Sequence, residues 1–176
     1  MRTVLLKLIV VLSFIITSAC TAIPEGPAFK QAAAPTKEQS LLYFYRPDTP
    51  PFLRSPDIYL NETKVLDLKN LAYSYVYVEP RRYSIRSSWS AGLSITDQIV
   101  VLDAKAGETY FLRQDSSAVT VYPMGIFNGS FQIVDSMLGM NEIQRTRYVA
   151  PVVKAVNTTL ASNQQFPKMP VAKGNE

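Results

Sequence analysis

Leu71-Ala72-Tyr73-Ser74-Tyr75-Val76-Tyr77-Val78 places Leu71, Tyr73, Tyr75 and Tyr77 at alternate positions, with Ala72, Ser74, Val76 and Val78 between them. Side chains of a strand point to its two faces in turn, so this period of two predicts a strand with a tyrosine face. Working upstream, Ser40-Leu41-Leu42-Tyr43-Phe44-Tyr45 runs through aliphatic and aromatic residues without alternation until Arg46-Pro47 stops it. That pattern predicts a strand covered on both sides.

Between these two lies a proline-rich excursion, Asp48 to Pro56, followed by Asp57-Ile58-Tyr59-Leu60, a turn at Asn61-Glu62-Thr63, and Lys64-Val65-Leu66-Asp67-Leu68. Downstream, strands are predicted at Tyr83 to Trp89, Ile95 to Leu102, Thr109 to Arg113, Ala118 to Tyr122 and Ser130 to Val134, with turns at Asn70 and at Ala104 to Gly107. Short strands separated by turns every 8 to 12 residues or so predict an all-β fold, an antiparallel β-sandwich of roughly eight strands. Val134, Met137, Leu138, Asn141, Glu142 and Ile143 shift to helical spacing, which predicts a short C-terminal helix at Asn141 to Thr146. The sandwich is expected to occupy residues 40–150. Residues 151–176, with Pro151, Pro167 and Pro170, read as a loosely ordered tail in which Val152 to Leu160 is open to either a short helix or an added strand.

The N-terminus has the three parts of a secretory signal: Arg2 and Lys7, an apolar run from Leu8 to Ile16, and the small residues Ser18 and Ala19. The run is too short to span a bilayer, which takes about 20 apolar residues. Thr17-Ser18-Ala19-Cys20 resembles the lipobox of bacterial lipoproteins, with Thr17 where leucine is usual. That resemblance implies removal of residues 1–19 and acylation of Cys20. Cys20 is the chain's only cysteine, so no internal disulfide competes for its sulfur. Thr21 stands where aspartate would signal retention at the inner membrane, so the likeness to enterobacterial lipoproteins implies an outer-membrane, periplasm-facing lipoprotein. Residues 20–39, with Pro24, Pro27, Pro35 and three successive alanines, read as a semi-stiff tether.

The order of Tyr43-Phe44-Tyr45-Arg46-Pro47, Ile58-Tyr59-Leu60-Asn61 with Lys64-Val65, Leu68-Lys69-Asn70, Val78-Glu79-Pro80, Ala106 to Gln114, and Glu142 to Arg147 resembles the bacterial lipoproteins grouped as domain of unknown function 2846. The likeness covers about Leu41 to Val149. It implies a small carbohydrate-associated or PEGA-like β-sandwich without an established activity. Where that family usually turns at proline-glycine, this chain has Pro80-Arg81-Arg82, so the turn has no glycine to supply a positive φ.

Histidine is absent from the whole sequence. Ser-His-Asp and Cys-His catalysis, histidine bases and histidine or thiolate zinc sites are therefore excluded. Carboxylate chemistry remains. Asp97, Asp103, Asp115 and Asp135 sit at predicted strand ends, where turn-forming or solvated roles are the simpler account. The chain is read as non-enzymatic, with no cofactor or metal. All 14 acidic residues and all but two of the 18 basic ones follow Cys20, leaving the mature chain at +2. So small a charge argues against a nucleic-acid partner.

Two sets of residues are candidates for binding. Tyr43, Tyr45, Tyr73, Tyr75 and Tyr77, if exposed, would form a face able to stack on glycan or peptidoglycan sugars or to anchor an envelope protein. A helix or tail laid over the sheet would bury them instead. Arg46, Arg113, Arg145 and Arg147 could contact anions. The plainer expectation has Arg46 and Arg113 reaching outward from strand ends, with Glu142 paired to Arg145 or another helix neighbour. The Asn-x-Ser/Thr triplets at Asn61, Asn128 and Asn157 are assigned to turns.

Overall fold

The computed structural model describes residues 24–90, 95–121 and 124–152, with the main chain alone for 119–121 and 124–126. Among the described residues, nine strands and one helix follow one another: β1 Ser40–Tyr45, β2 Asp57–Leu60, β3 Thr63–Asp67, β4 Ala72–Val78, β5 Arg82–Ser88, β6 Gln98–Asp103, β7 Thr109–Val121, β8 Met124–Val134, α1 Ser136–Ile143 and β9 Arg147–Tyr148. The strands form two sheets, one ordered β8-β7-β1-β4-β9 and the other β3-β2-β5-β6. This is the expected all-β sandwich.

One feature of the pairing differs from expectation. β1 runs parallel to β7, and β9 runs parallel to β4, so the five-stranded sheet is mixed rather than antiparallel. The chain leaves this sheet after β4, builds β5 and β6 in the other sheet, and returns as β7 beside β1. A strand re-entering after such a crossover is free of the reversal that a hairpin imposes. The stretches 109–113 and 118–122, expected as two strands, run together in β7, described as far as Val121, which pairs antiparallel with β8 from Phe111 to Val121.

Local chemistry accounts for the turns. Asn61 and Glu62 take positive φ values of 45° and 68°, a two-residue turn of the kind whose twist suits a hairpin. Asn61 Oδ1 also accepts the Ser84 N–H at 2.9 Å, tying the hairpin to β5. Leu71 has φ 53° and lies in the turn before β4 rather than on its tyrosine face. At Pro80-Arg81 the chain passes from one sheet to the other without positive φ. The Tyr83 hydroxyl donates to Glu79 O and the Ala104 N–H to Arg81 O, both at 2.9 Å.

Between the sheets lie Leu42, Phe44, Ile58, Leu60, Leu66, Leu68, Tyr83, Ile85 and Leu112, all essentially inaccessible. A second core lies on the outer side of the five-stranded sheet, where Leu41, Tyr43, Tyr45, Tyr73, Phe111 and Ile143 are buried with Phe29, Met140 and Tyr148 against them. Every residue of β1 is thus buried, as its unbroken apolar run predicts.

The helix begins five residues earlier than expected. Asp135 caps it by accepting the Met137 N–H at 2.8 Å, and the Thr146 hydroxyl donates to Ile143 O at 2.6 Å at its end. Its buried residues are Gly139 and Ile143, whereas Met137 and Leu138, which shaped the sequence-based expectation, are exposed. Gly139 lets the helix lie against Phe111: a Cβ there would collide with the Phe111 ring and its Cβ. Beyond β9, the Val152 N–H donates to Val65 O at 2.8 Å, and residues 153–176, including most of the undecided Val152 to Leu160 stretch, are outside the described part.

Gly139→Ala sets two effects against each other. Alanine gains about 1 kcal/mol of helix propensity, but overpacking against Phe111 costs about 1–3 kcal/mol. Net loss of stability is expected, read as a lower urea midpoint; a raised midpoint would contradict the packing argument.

Candidate functional site

The register of β1 and β4 gathers the five tyrosines. Tyr43 lies opposite Tyr75 and Tyr45 opposite Tyr73, with Tyr77 next along the same face. Tyr43, Tyr45 and Tyr73 are nevertheless no more than 2% exposed, while Tyr75 and Tyr77 are half-buried. The stacking face needed for glycan binding is therefore largely covered. α1 covers one part of it, and the N-terminal segment covers the rest.

That segment's composition predicts a spacer, yet from Pro24 to Ala33 it is packed against the domain. The Tyr148 N–H donates to Pro27 O at 2.9 Å, and Ala28 pairs with Arg147 as a single antiparallel bridge. Phe29 then inserts between Tyr43 and Tyr73, its ring centre 6.0 and 5.0 Å from theirs. The Lys30 N–H donates to the Tyr73 hydroxyl at 3.1 Å and the Ala32 N–H to the Tyr43 hydroxyl at 2.7 Å. The Tyr77 hydroxyl donates to Ala33 O at 2.7 Å. These bonds address the segment's backbone, so they place no demand on its side chains.

The fourth hydroxyl is used differently. Tyr45 donates to Glu142 Oε2 at 2.7 Å, and Glu142 also lies 3.2 Å from Arg113, which reaches Asp115 at 3.1 Å. Helix and sheet are thus joined through a half-buried carboxylate rather than through the expected pairing of Glu142 within its own helix. Burial first, then the hydrogen bond and charge of Glu142, push the Tyr45 hydroxyl well above the ordinary tyrosine value. Burial likewise raises Tyr43, opposed by its bond to Ala32. Arg113 bridges two carboxylates, which leaves it poorly placed to take an external anion.

Arg46 corrects the expectation that it reaches outward: it is fully buried at the end of β1. Its guanidinium donates to Thr49 O and Pro51 O at 2.8 Å and to Arg54 O at 2.7 Å, and lies 4.9 Å from the Trp89 ring centre. Burial holds its pKa down to about 10, with the charges of Asp48 and Asp115 acting the other way. Its donors organise the proline-rich loop, which Asn70 fastens further by accepting the Thr49 N–H at 3.0 Å and donating to Asp48 at 2.7 Å. Arg145 and Arg147 are exposed, and Arg147 donates to Gly26 O at 3.2 Å.

The aspartates singled out in the sequence are dispersed. Asp97 pairs with Arg86 at 2.9 Å and accepts from Ser88, Asp103 lies 3.8 Å from Arg82, and Asp135 caps α1. Among the described residues no group of three or more acidic, histidine or cysteine side chains is arranged to hold a metal. Among the same residues no helix is long and apolar enough to cross a membrane. Cys20 and Asn157 lie outside the described residues, and Asn128 is in β8 rather than a turn. Phe29 and the Glu142 to Arg113 link had no signal in the sequence beyond an aromatic in a polar stretch and a helical carboxylate.

Fold and site together define a small β-sandwich module whose aromatic sheet face is occupied by its own N-terminal segment. The chain belongs to the family described as Protein of unknown function (DUF2846), which matches residues 36–126, just over half of it. No curated protein and no solved structure matches. The matched residues run from before β1 into β8, so the strap, α1 and β9 lie outside them.

Arg46→Lys keeps the charge but loses the planar fork, and a loss of about 2–3 kcal/mol is expected from the buried carbonyls left unpaired. Urea unfolding measures it, and an unchanged midpoint would show that lysine suffices. A second expectation concerns pH. Tyr43 and Tyr45 hold their protons in the folded state at pH values where an unfolded tyrosine, with a pKa of about 10, has lost them. Their contribution is complete below about pH 10 and falls as pH rises beyond it. The urea midpoint is expected to drop above pH 10, less steeply in Tyr45→Phe; equal slopes would remove the Tyr45 hydroxyl from the account.

Proposed function

We propose that this protein is a lipid-anchored envelope protein, held by acyl chains on Cys20 at the periplasmic face of the outer membrane, whose β-sandwich acts without catalysis as a binding or structural module. The observation that carries this is Thr17-Ser18-Ala19-Cys20, a small-residue run ending in the only cysteine directly after a leader-like segment. Each acyl methylene buried contributes about 0.8 kcal/mol, and two or more chains make the attachment stable.

Tethering rather than turnover is supported by the state of the carboxylates. Glu142 is engaged by Arg113 and Tyr45, and Asp97 by Arg86. A general acid or base needs an open approach to its substrate. An envelope protein is favoured over a glycan as partner, because three of the five tyrosines that would stack on sugars are buried.

Cys20→Ala is expected to abolish labelling of the protein by a clickable fatty acid in cells and to release it from the membrane fraction. Labelling that persists would refute acylation at Cys20. Crosslinking of the native protein in its envelope is expected to recover a defined protein partner; recovery of none would count against the interaction role.

A further inference from the structure

We infer that residues 24–33 serve as a docked strap that holds the sandwich close to the bilayer, with its β9 margin nearest the anchor, rather than as a spacer; this rests on the acylation of Cys20 proposed above. Ser40, at the start of β1, is twenty residue steps beyond Cys20. Free and extended, they would reach about 70 Å at about 3.5 Å per residue. Pro24, however, is already buried, only four residues after Cys20, which puts Cys20 within about 14 Å of it at the same rise.

Two independent sets of contacts fix the strap. At the sheet margin, Pro27 O accepts from Tyr148, Ala28 bridges Arg147, and Arg147 donates to Gly26 O. Gly26 lies so close to the Tyr148 carbonyl that a Cβ would collide with it. On the sheet face, Phe29 joins the aromatic cluster and three tyrosine hydroxyls bond to Lys30, Ala32 and Ala33. The first set lies beside β9, the last strand of its sheet. β8 is the opposite margin, four strand spacings or about 19 Å away. Gly129 of β8 lies against Ile95 and Gln98, so β6 shares that distant side. The β6 and β8 margin, including exposed Ile99 and Val101, is therefore turned away from the anchor and toward the envelope space.

The test uses the acylated full-length protein in bilayers of phosphatidylethanolamine and phosphatidylglycerol, with Gly26→Val/Phe29→Ala as the undocked variant. Both changes lie outside the sandwich. In the parent, the Lys30 and Ala32 amides are expected to exchange about 100-fold or more slowly than in an unstructured chain, and neutron reflectometry should show the protein layer directly against the bilayer. In the variant the protection is lost and the layer spreads outward, while unfolding of the sandwich stays cooperative. Should that variant unfold, Ala32→Pro, which removes the N–H bonded to Tyr43, replaces it. Unprotected strap amides in the acylated parent, or an unchanged layer in the undocked variant, would overturn the strap. A protected strap in a protein that is never acylated would instead overturn the anchor, and the standoff with it.

Discussion

A strand whose two faces are both apolar must be covered twice, and β1 imposes that requirement on the whole molecule. Leu42 and Phe44 face the four-stranded sheet, while Leu41, Tyr43 and Tyr45 face the other way. A two-sheet sandwich satisfies only the first set. The second set is covered by α1 from one direction and by residues 24–33 from another, which is why elements outside the sandwich proper are part of its packing. The tyrosine hydroxyls make this cover specific: each buried polar group needs a partner, and unpaired ones cost about 1–3 kcal/mol.

The same accounting explains Arg46. A buried cation is tolerated only where its donors are matched, and here backbone carbonyls of the proline-rich loop do the matching with Trp89 beneath the guanidinium. The loop is thereby shaped by a side chain belonging to the strand before it. Phe52 and Leu53 are consequently presented at an exposed position of a braced loop rather than a floppy one.

Much of the sheet structure was legible residue by residue. The alternation from Tyr73 to Val78 marks β4, the unbroken run from Leu41 to Tyr45 marks a strand buried on both sides, and Asn61 marks a turn that needs positive φ. These signals are local: they arise from side-chain period and from the conformations that single residues tolerate. The start of the helix was placed five residues too late because its first turns make contact through Gly139, whose value lies in having no side chain and which adds nothing to an apolar period. The partner of Glu142 was missed because Arg113 approaches from another element 29 residues away.

By itself the sequence determined the all-β class, most strand positions, the lack of histidine chemistry and the presence of a single cysteine at position 20. Period, composition and residue inventory carry those properties without reference to neighbours. Only the tertiary structure decided that β1 and β7 run parallel, that Arg46 points inward, and that the proline- and alanine-rich segment lies on the tyrosines. Each depends on contacts between residues far apart in the chain, and small residues leave no local trace of what they will pack against. Whether a tyrosine face meets solvent or a strap is settled by what the rest of the chain can reach, which no single stretch records.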